Sequence, residues 1–294
     1  MVYESIVEAK APDFNTTQHF MSKWMNKVLS RRANAPLLIG CPAGINAVMH
    51  DHSNIDRERL TGSTESHLVK WPGLLADAAS GGEPAVPSSS TLLVHESVVD
   101  PLTALCVQAA KRGFDLRLCS SFRSFDRQLT IWNDKITGLR PVYDDSGTRV
   151  DLTQLSDWQQ VQAVMRWSAL PGASRHHWGT DFDIYDAAAV DASYQIQLVP
   201  EEVEGSGVFA PLHDWLDTSV LARAGFYRPY AQDYGGIAPE RWHISYRPVA
   251  DSYAAQLTVE VLAERLNRAD IIHKETVLAH LDELFQRYIC VSGG

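Results

Sequence analysis

The chain has 294 residues, of which 45% are apolar and 21% are charged. This composition is typical of a folded globular protein and excludes a disordered, collagenous or disulfide-stapled chain. The 36 acidic residues outnumber the 26 Lys and Arg residues and give a net charge of −10. Because phosphate backbones bind basic surfaces, this balance argues against nucleic acid as a partner.

Two kinds of apolar segment are absent from the sequence. The most apolar stretches are shorter than the roughly 20 residues that span a bilayer, which predicts no integral membrane segment. Residues 1–15 carry three acidic side chains and lack the basic region followed by an apolar one that marks a secretory signal.

A run rich in Gly, Pro and Ser, Ala79–Ser90, divides the chain. Before it, the clearest pattern is a helix over Thr17–Arg32. We predict an N-terminal extension of unknown role over residues 1–85, a central domain over 86–250 and a helical tail over 251–294. The tail has apolar positions at the spacing of two amphipathic helices, which we expect to pack on the central domain.

In the central domain, predicted strands and helices follow one another. They are a strand at Thr91–Val94, a helix from Asp100 to Gly113, a strand at Asp115–Ser120, a helix at Arg123–Ile136, a surface loop at Thr137–Ser156, a strand at Gly179–Asp186, a helix at Leu212–Arg223 and a strand at Trp242–Tyr246. Alternation along Gly179–Asp186 places Asp181 and Asp183 on one face of their strand.

Histidines and carboxylates occur together at two of these strands. The segment Ser174–Asp183 places two histidines before a glycine turn, and a glutamate precedes His243 by three residues. Zinc binds imidazole and carboxylate, and a catalytic zinc site commonly has three protein ligands. His176, Asp183 and His243 are such a set, with Glu240 as the candidate base. On residue types alone, hydrogen-bonded core or surface histidines remain the simpler explanation.

A resemblance to a known family changes this balance. Three segments resemble, in the same order, the signatures of the VanY-type zinc D-alanyl-D-alanine carboxypeptidases, which are related to D-Ala-D-Ala dipeptidases and L-alanyl-D-glutamate peptidases. The segments are Ser120-Ser-Phe-Arg123-Ser-x-x-x-Gln128, Ser174-x-His176-x-x-Gly179-x-x-x-Asp183 and Glu240-x-Trp242-His243. Residues 1–85 are covered weakly.

The resemblance implies both a fold and a set of site residues. The fold is α+β, with a small antiparallel sheet carrying the zinc ligands and helices packed on it. The implied cofactor is Zn²⁺, bound by His176, Asp183 and His243, with Glu240 as the general base. The residues implied to face the substrate are Arg123, Ser174, Gln128 and Trp242, of which Arg123 also has a catalytic role.

Three positions depart from the family pattern. Asp181 stands in place of Ala, Ser121 in place of Gly and Arg241 in place of Pro. Asp181 has two open interpretations, a partner of a ligand histidine or a group that changes the preference for substrate charge. Arg241 is interpreted mainly as a solvated side chain, and His177 as a structural residue that is also the fallback ligand.

The implied function is zinc-dependent hydrolysis of a peptide bond in peptidoglycan stem peptides or their fragments, most simply removal of the terminal D-alanine. The alternatives are D-Ala-D-Ala dipeptidase, L-alanyl-D-glutamate endopeptidase and a zinc-dependent module that binds cell-wall peptide without cleaving it. The family implies a location in the bacterial cell envelope or periplasm. The missing signal pattern leaves the cytoplasm as the second expectation.

Overall fold

A computed structural model describes residues 55–71, 73 and 92–290 of the chain. The predicted helix Thr17–Arg32 and the run Ala79–Ser90 lie outside the described residues. Of the predicted strand Thr91–Val94, only residues 92–94 are described.

The described residues form six strands and eleven α-helices. The strands are β1 (Leu68–Lys70), β2 (Leu93–His95), β3 (Leu116–Ser120), β4 (Asp181–Asp186), β5 (Phe226–Tyr227) and β6 (His243–Tyr246). The helices are α1 (Arg57–Leu60), α2 (Val99–Ala110), α3 (Phe125–Ile136), α4 (Asp157–Met165), α5 (Pro200–Val203), α6 (Ala210–Trp215), α7 (Leu221–Arg223), α8 (Arg247–Gln256), α9 (Val259–Asn267), α10 (Lys274–Ala279) and α11 (Leu281–Leu284).

Four of the strands form one antiparallel sheet in the order β3-β4-β6-β5. Strand β4 lies between β3 and β6, and its register places Asp183 opposite both Ser120 and His243. All six residues of β4 are buried. Strands β1 and β2 form a separate antiparallel pair. The predicted α+β fold with a small antiparallel sheet is confirmed.

The two faces of β4 have different partners. Phe182 and Ile184 point into a core shared with α2 and the neighbouring strands. Burial of side chains of this size contributes about 1.5–3 kcal/mol each to folding. Because strand side chains alternate, Asp181, Asp183 and Tyr185 point to the opposite face. The apolar core thus fixes which face of β4 carries the carboxylates.

A second core joins the tail helices to the rest of the fold. Leu262 and Leu284 of the tail belong to one buried cluster with Trp132 of α3, Val161 of α4 and Leu60 of α1. Residues 55–71 therefore contribute to the same fold as the central residues. The exact limits of the extension, the central domain and the tail remain a prediction.

Several elements differ from the sequence prediction. The predicted helix Leu212–Arg223 is interrupted at Thr218 and Ser219, where Ser219 adopts a φ of 73°. Helix α4 was not predicted, and the tail begins with an additional helix, α8. No helix among the described residues is both long and apolar enough to cross a membrane.

Candidate metal centre

Three different elements supply the histidines and the carboxylate of the site. His176 lies in the 3₁₀ turn Arg175–Trp178, Asp183 on β4 and His243 at the start of β6. The turn ends at Gly179, whose φ of 69° is in the left-handed region. A Cβ on Gly179 would lie 2.8 Å from the backbone nitrogen of His95. Glycine therefore lets the chain leave the turn and enter β4 directly.

The three side chains converge as zinc ligands do. Their candidate ligand atoms all lie within 4.8 Å of one another, and all three residues are buried. His176 Nε2 is 3.4 Å from Asp183 Oδ2, and His243 Nδ1 is 3.4 Å from Asp183 Oδ1. A tetrahedron with zinc–ligand bonds of about 2.0–2.1 Å has edges of about 3.3–3.4 Å. The residues present therefore fit zinc in size and in donor type.

In His176 and His243 one ring nitrogen donates a hydrogen bond, and the other keeps its lone pair for a metal. His176 Nδ1 lies 2.9 Å from the carbonyl oxygen of Ser121, so this nitrogen carries the proton and Nε2 has the lone pair. His243 Nε2 lies 3.0 Å from Asp181 Oδ1 and donates to it, which leaves Nδ1 facing Asp183. Such outer hydrogen bonds fix both the tautomer and the ring orientation of a ligand histidine.

The charge of Asp183 is also suited to a metal ligand. Burial would raise the pKa of this carboxyl, but His176 and His243 outweigh burial and hold the pKa well below its usual range. The side chain therefore remains an ionised carboxylate, which is the form that binds a cation.

Glu240 lies at the edge of this cluster. Its Oε2 is 3.5 Å from His243 Nδ1, and its side chain is 15% exposed, more than either neighbouring ligand. The backbone N–H of Glu240 donates to the carbonyl oxygen of Tyr230 at 3.0 Å. This arrangement holds a carboxylate beside the candidate ligand atoms while leaving it partly exposed.

The backbone of Arg123 is hydrogen-bonded to that of one candidate zinc ligand, His176. Its N–H donates to the carbonyl oxygen of His176 at 3.2 Å. Its guanidinium donates to Gln128 Oε1 at 2.9 Å and to Ser120 Oγ at 3.2 Å. Burial lowers the pKa of Arg123, whereas the charges of Asp183 and Glu240 oppose that shift. The guanidinium is thus a fixed positive group that interacts with both site carboxylates.

The structure gives Gln128 a different position from the substrate-facing one expected. Gln128 has no exposed surface, and its amide donates to Ser168 Oγ and to the carbonyl oxygen of Ala169. With its oxygen it accepts from Arg123. Its contacts therefore suit orientation of Arg123 rather than contact with a peptide.

Ser174 and Trp242 are also buried, with 1% and 4% of their surface exposed. Trp242 packs in an apolar cluster with Tyr185, Val203 and Phe209, beside β4. Contact of either side chain with substrate remains a prediction.

His177, the fallback ligand, uses both ring nitrogens for structure. Its Nδ1 donates to the carbonyl oxygen of Arg123 at 2.6 Å, and its Nε2 accepts from the N–H of Gly172 at 3.0 Å. Burial lowers the pKa of His177 to about 3, so the ring is neutral. No lone pair remains for a metal, and the structural interpretation of His177 is the one that the geometry supports.

The two charged residues that depart from the family pattern, Asp181 and Arg241, both have polar partners within the protein. Asp181 has no exposed surface and accepts from the candidate ligand His243, which favours its interpretation as a partner of a ligand histidine. Arg241 is not the solvated side chain expected. Its Nη2 contacts Asp214 at 2.7 Å and Asp217 at 2.8 Å, and its Nη1 donates to a backbone carbonyl.

One cation near the site was missed by the sequence analysis. Lys135 of α3 interacts electrostatically with Glu240 and Arg123, and burial lowers its pKa to about 8. Among the described residues, its ammonium has no hydrogen bond or ion pair. Lys135 follows Gln128 by seven residues, so both lie on one side of the helix. That spacing is the signal that could have identified it.

The family model for VanY, D-alanyl-D-alanine carboxypeptidase, matches residues 91–249, slightly more than half of the chain. The chain belongs to the VanY family. It is therefore a zinc metallopeptidase of the D-alanyl-D-alanine carboxypeptidase type, and its general reaction is hydrolysis of peptidoglycan peptides.

The chain is also similar to two uncharacterised proteins of Haemophilus influenzae. One is 44% identical over 113 residues, 38% of this chain and 68% of the relative. The other is 34% identical over 122 residues, 41% of this chain and 92% of the relative.

Two peptidases are among the similar proteins with solved structures. The D,D-pentapeptidase VanY from a VanB-type resistance cassette, in complex with Zn(II), is 21% identical, with 60% of this chain and 88% of that chain covered and a TM-score of 0.38. The LD-carboxypeptidase LdcB is 20% identical, with 70% of this chain and 80% of that chain covered and a TM-score of 0.41.

Proposed function

We propose that the protein removes the terminal D-alanine from peptidoglycan stem peptides that end in D-alanyl-D-alanine. In this proposal His176, Asp183 and His243 bind zinc, Glu240 is the general base and Arg123 binds the terminal carboxylate of the peptide. The observation that best supports the proposal is the backbone bond between Arg123 and the ligand His176. It anchors the backbone of Arg123 to that of His176, and the guanidinium interacts electrostatically with Asp183 and Glu240. A cation in this position would pair with the carboxylate of a substrate that has one residue beyond the cleaved bond.

Zinc held by His176, Asp183 and His243 would supply a Lewis acid that could polarise the scissile carbonyl and lower the pKa of water to about 7. Glu240 accepts one proton from the attacking water, while the oxygen of that water bonds to the carbonyl carbon. The protonated Glu240 then delivers this proton to the nitrogen of the leaving D-alanine as the C–N bond breaks. Arg123 meanwhile pairs with the carboxylate of the leaving residue through charge-assisted hydrogen bonds.

The decisive experiment is digestion of a muramyl pentapeptide by the zinc-loaded protein, followed by mass spectrometry. Release of a single D-alanine is the expected result. A parallel digestion supplies free D-alanyl-D-alanine: hydrolysis of this dipeptide to two D-alanines with the pentapeptide left intact would instead establish a dipeptidase. Cleavage between L-alanine and D-glutamate would establish an endopeptidase. Bound zinc without cleavage of any peptide would establish a recognition module.

A pair of variants tests the base. Glu240→Gln keeps the volume of the side chain but removes the proton acceptor, so we expect kcat to fall by about 10²–10⁴-fold with zinc content unchanged. Glu201→Gln, at an exposed glutamate of α5, is the matched control and should leave kcat unchanged. An undiminished kcat in Glu240→Gln would show that another group is the base.

A further inference from the structure

We propose that the buried ion pair between Arg175 and Asp181 is a positioning device for the zinc ligand His243, and that it increases the affinity of the site for zinc. Family membership accounts for the ligand itself, but the family pattern has Ala where this chain has Asp181. Asp181 departs from that pattern, and the effect proposed for the pair is on the metal rather than on the peptide.

Both oxygens of Asp181 are fully used. Oδ1 accepts from Arg175 Nε at 2.8 Å and from His243 Nε2 at 3.0 Å. Oδ2 accepts from Thr180 Oγ1 at 2.7 Å and from Ser245 Oγ at 3.0 Å. One carboxylate oxygen thus connects the guanidinium directly to the imidazole, while the other is anchored by the residue before β4 and by β6.

Arg175 is equally constrained. Only 5% of its side chain is exposed, and its Nη2 donates to Tyr227 Oη at 2.6 Å and to Ser245 Oγ at 2.8 Å. The guanidinium also lies over the ring of Trp178, 4.6 Å from its centroid. A planar cation held on several sides fixes the direction of its bond to Asp181.

The burial of the pair explains why both charges occur together. A buried charge without a partner is strongly unfavourable, so Asp181 alone would be costly beside Asp183, and Arg175 alone would be costly in this core. Together the two charges cancel, and Asp181 can accept the imidazole proton of His243 without adding a net charge to the interior. A carboxylate in this position orients the ring and makes its free nitrogen a better metal ligand.

The test compares zinc affinities by competition with a chromophoric chelator, using the full chain and no peptide. The double variant Arg175→Met/Asp181→Ala removes both charges together and restores the family residue at position 181. We expect it to fold, as judged by circular dichroism, and to have a zinc Kd about 10–100-fold higher than the wild type. Asp181→Asn, which preserves volume and leaves a neutral acceptor, should raise the zinc Kd by a smaller factor.

Asp186→Asn is the matched control, because Asp186 is also a buried carboxylate of β4 but accepts from the backbone N–H groups of Asp115 and Ala188, away from Arg175 and His243. Its zinc Kd should stay within about twofold of the wild type, even if its midpoint of thermal unfolding falls. A merely structural pair would lower that midpoint in every variant and leave the zinc Kd unchanged.

A zinc Kd within about twofold of the wild type in both Asp181→Asn and the double variant would overturn the proposal. If the double variant does not fold, Asp181→Asn alone decides. Because the readout is metal binding, the result is independent of which peptide bond the enzyme cleaves.

Discussion

Replacement of Gly179 by alanine tests whether packing against β1 and β2 holds the turn Arg175–Trp178, which carries the candidate zinc ligand His176. Gly179 ends the turn that carries His176, and its carbonyl oxygen accepts from the backbone N–H of His95 of β2 at 2.8 Å. A Cβ at this position would overlap Leu68 of β1 and lie 2.8 Å from the His95 nitrogen. The substitution therefore forces β1 and β2 away from the turn, or the turn away from β4.

Two contributions set the expected loss of stability. Alanine at a φ of 69° costs about 1–2 kcal/mol relative to glycine, because its Cβ crowds the following carbonyl. Inserting an atom into a packed region costs about 1–3 kcal/mol more, and here one neighbour is backbone that cannot rotate away. We expect the free energy of unfolding to fall by about 3 kcal/mol. We also expect weaker zinc binding, because His176 and Asp183 flank the displaced segment.

Gly113→Ala is the matched control. Gly113 has a φ of 87°, but a Cβ there would have no atom within 4 Å, so only the backbone cost of about 1–2 kcal/mol applies. Urea unfolding of both variants, each with and without added zinc, measures the difference. Equal losses of unfolding free energy, together with an unchanged zinc Kd in Gly179→Ala, would refute the argument that β1 and β2 constrain the turn.

Three other side chains offer further tests. Burial, together with His95 and Arg59, lowers the pKa of His67 from 6.5 to about 4. Between pH 6.5 and pH 4 the unfolded state binds more protons at this histidine than the folded state does. The free energy of unfolding therefore has its full value above pH 6.5 and falls by about 2.5 kcal/mol on acidification to pH 4.5. Urea unfolding at pH 7 and at pH 4.5 measures this change. Between the two pH values His67→Phe should lose about 2.5 kcal/mol less unfolding free energy than the wild type does, and equal losses in the two proteins would contradict a lowered pKa of His67. Lys135 is a second cation beside Arg123 and would add to the attraction of the terminal carboxylate of the substrate. Lys135→Met should therefore raise KM several-fold for a pentapeptide with a free terminal carboxylate, with little change in kcat, and should leave KM unchanged for the same peptide with an amidated C-terminus. In the wild type the same KM should rise between pH 7 and 9, as Lys135 with its pKa of about 8 loses its proton; a flat profile in steady-state kinetics would argue against contact with the carboxylate. Arg123→Lys keeps the charge but loses the planar fork, so kcat/KM should fall by about 10–100-fold with zinc content unchanged; a loss of zinc instead would make Arg123 a structural residue.

Sequence patterns were sufficient where local spacing determines the structure. The alternation along Gly179–Asp186 predicted β4 and the shared face of Asp181 and Asp183, because apolar burial allows only one register. The start of α3 was placed two residues early, at Arg123. In the structure the side chain of Ser124 accepts from the N–H of Arg127 and caps the helix, which begins at Phe125.

Other features depend on contacts between distant segments. Arg175 and Asp181 are close in sequence, but their common partner His243 comes from another strand, and only the β4–β6 register brings them together. Helix α4 did carry a local signal that was overlooked. Ser156 and Gln159 form a reciprocal capping box, in which each side chain bonds the backbone N–H of the other.

The adjacent residues His176 and His177 show why residue type alone could not define the site. Both rings are buried and both donate from Nδ1 to a backbone carbonyl of the same segment, at Ser121 and at Arg123. They differ in what faces Nε2. For His176 it is the carboxylate of Asp183, which leaves the lone pair available to a cation, whereas for His177 it is the N–H of Gly172, which consumes the lone pair. The second nitrogen of each ring therefore decides its role, so that one histidine can bind zinc while its neighbour holds Arg123 in place beside it.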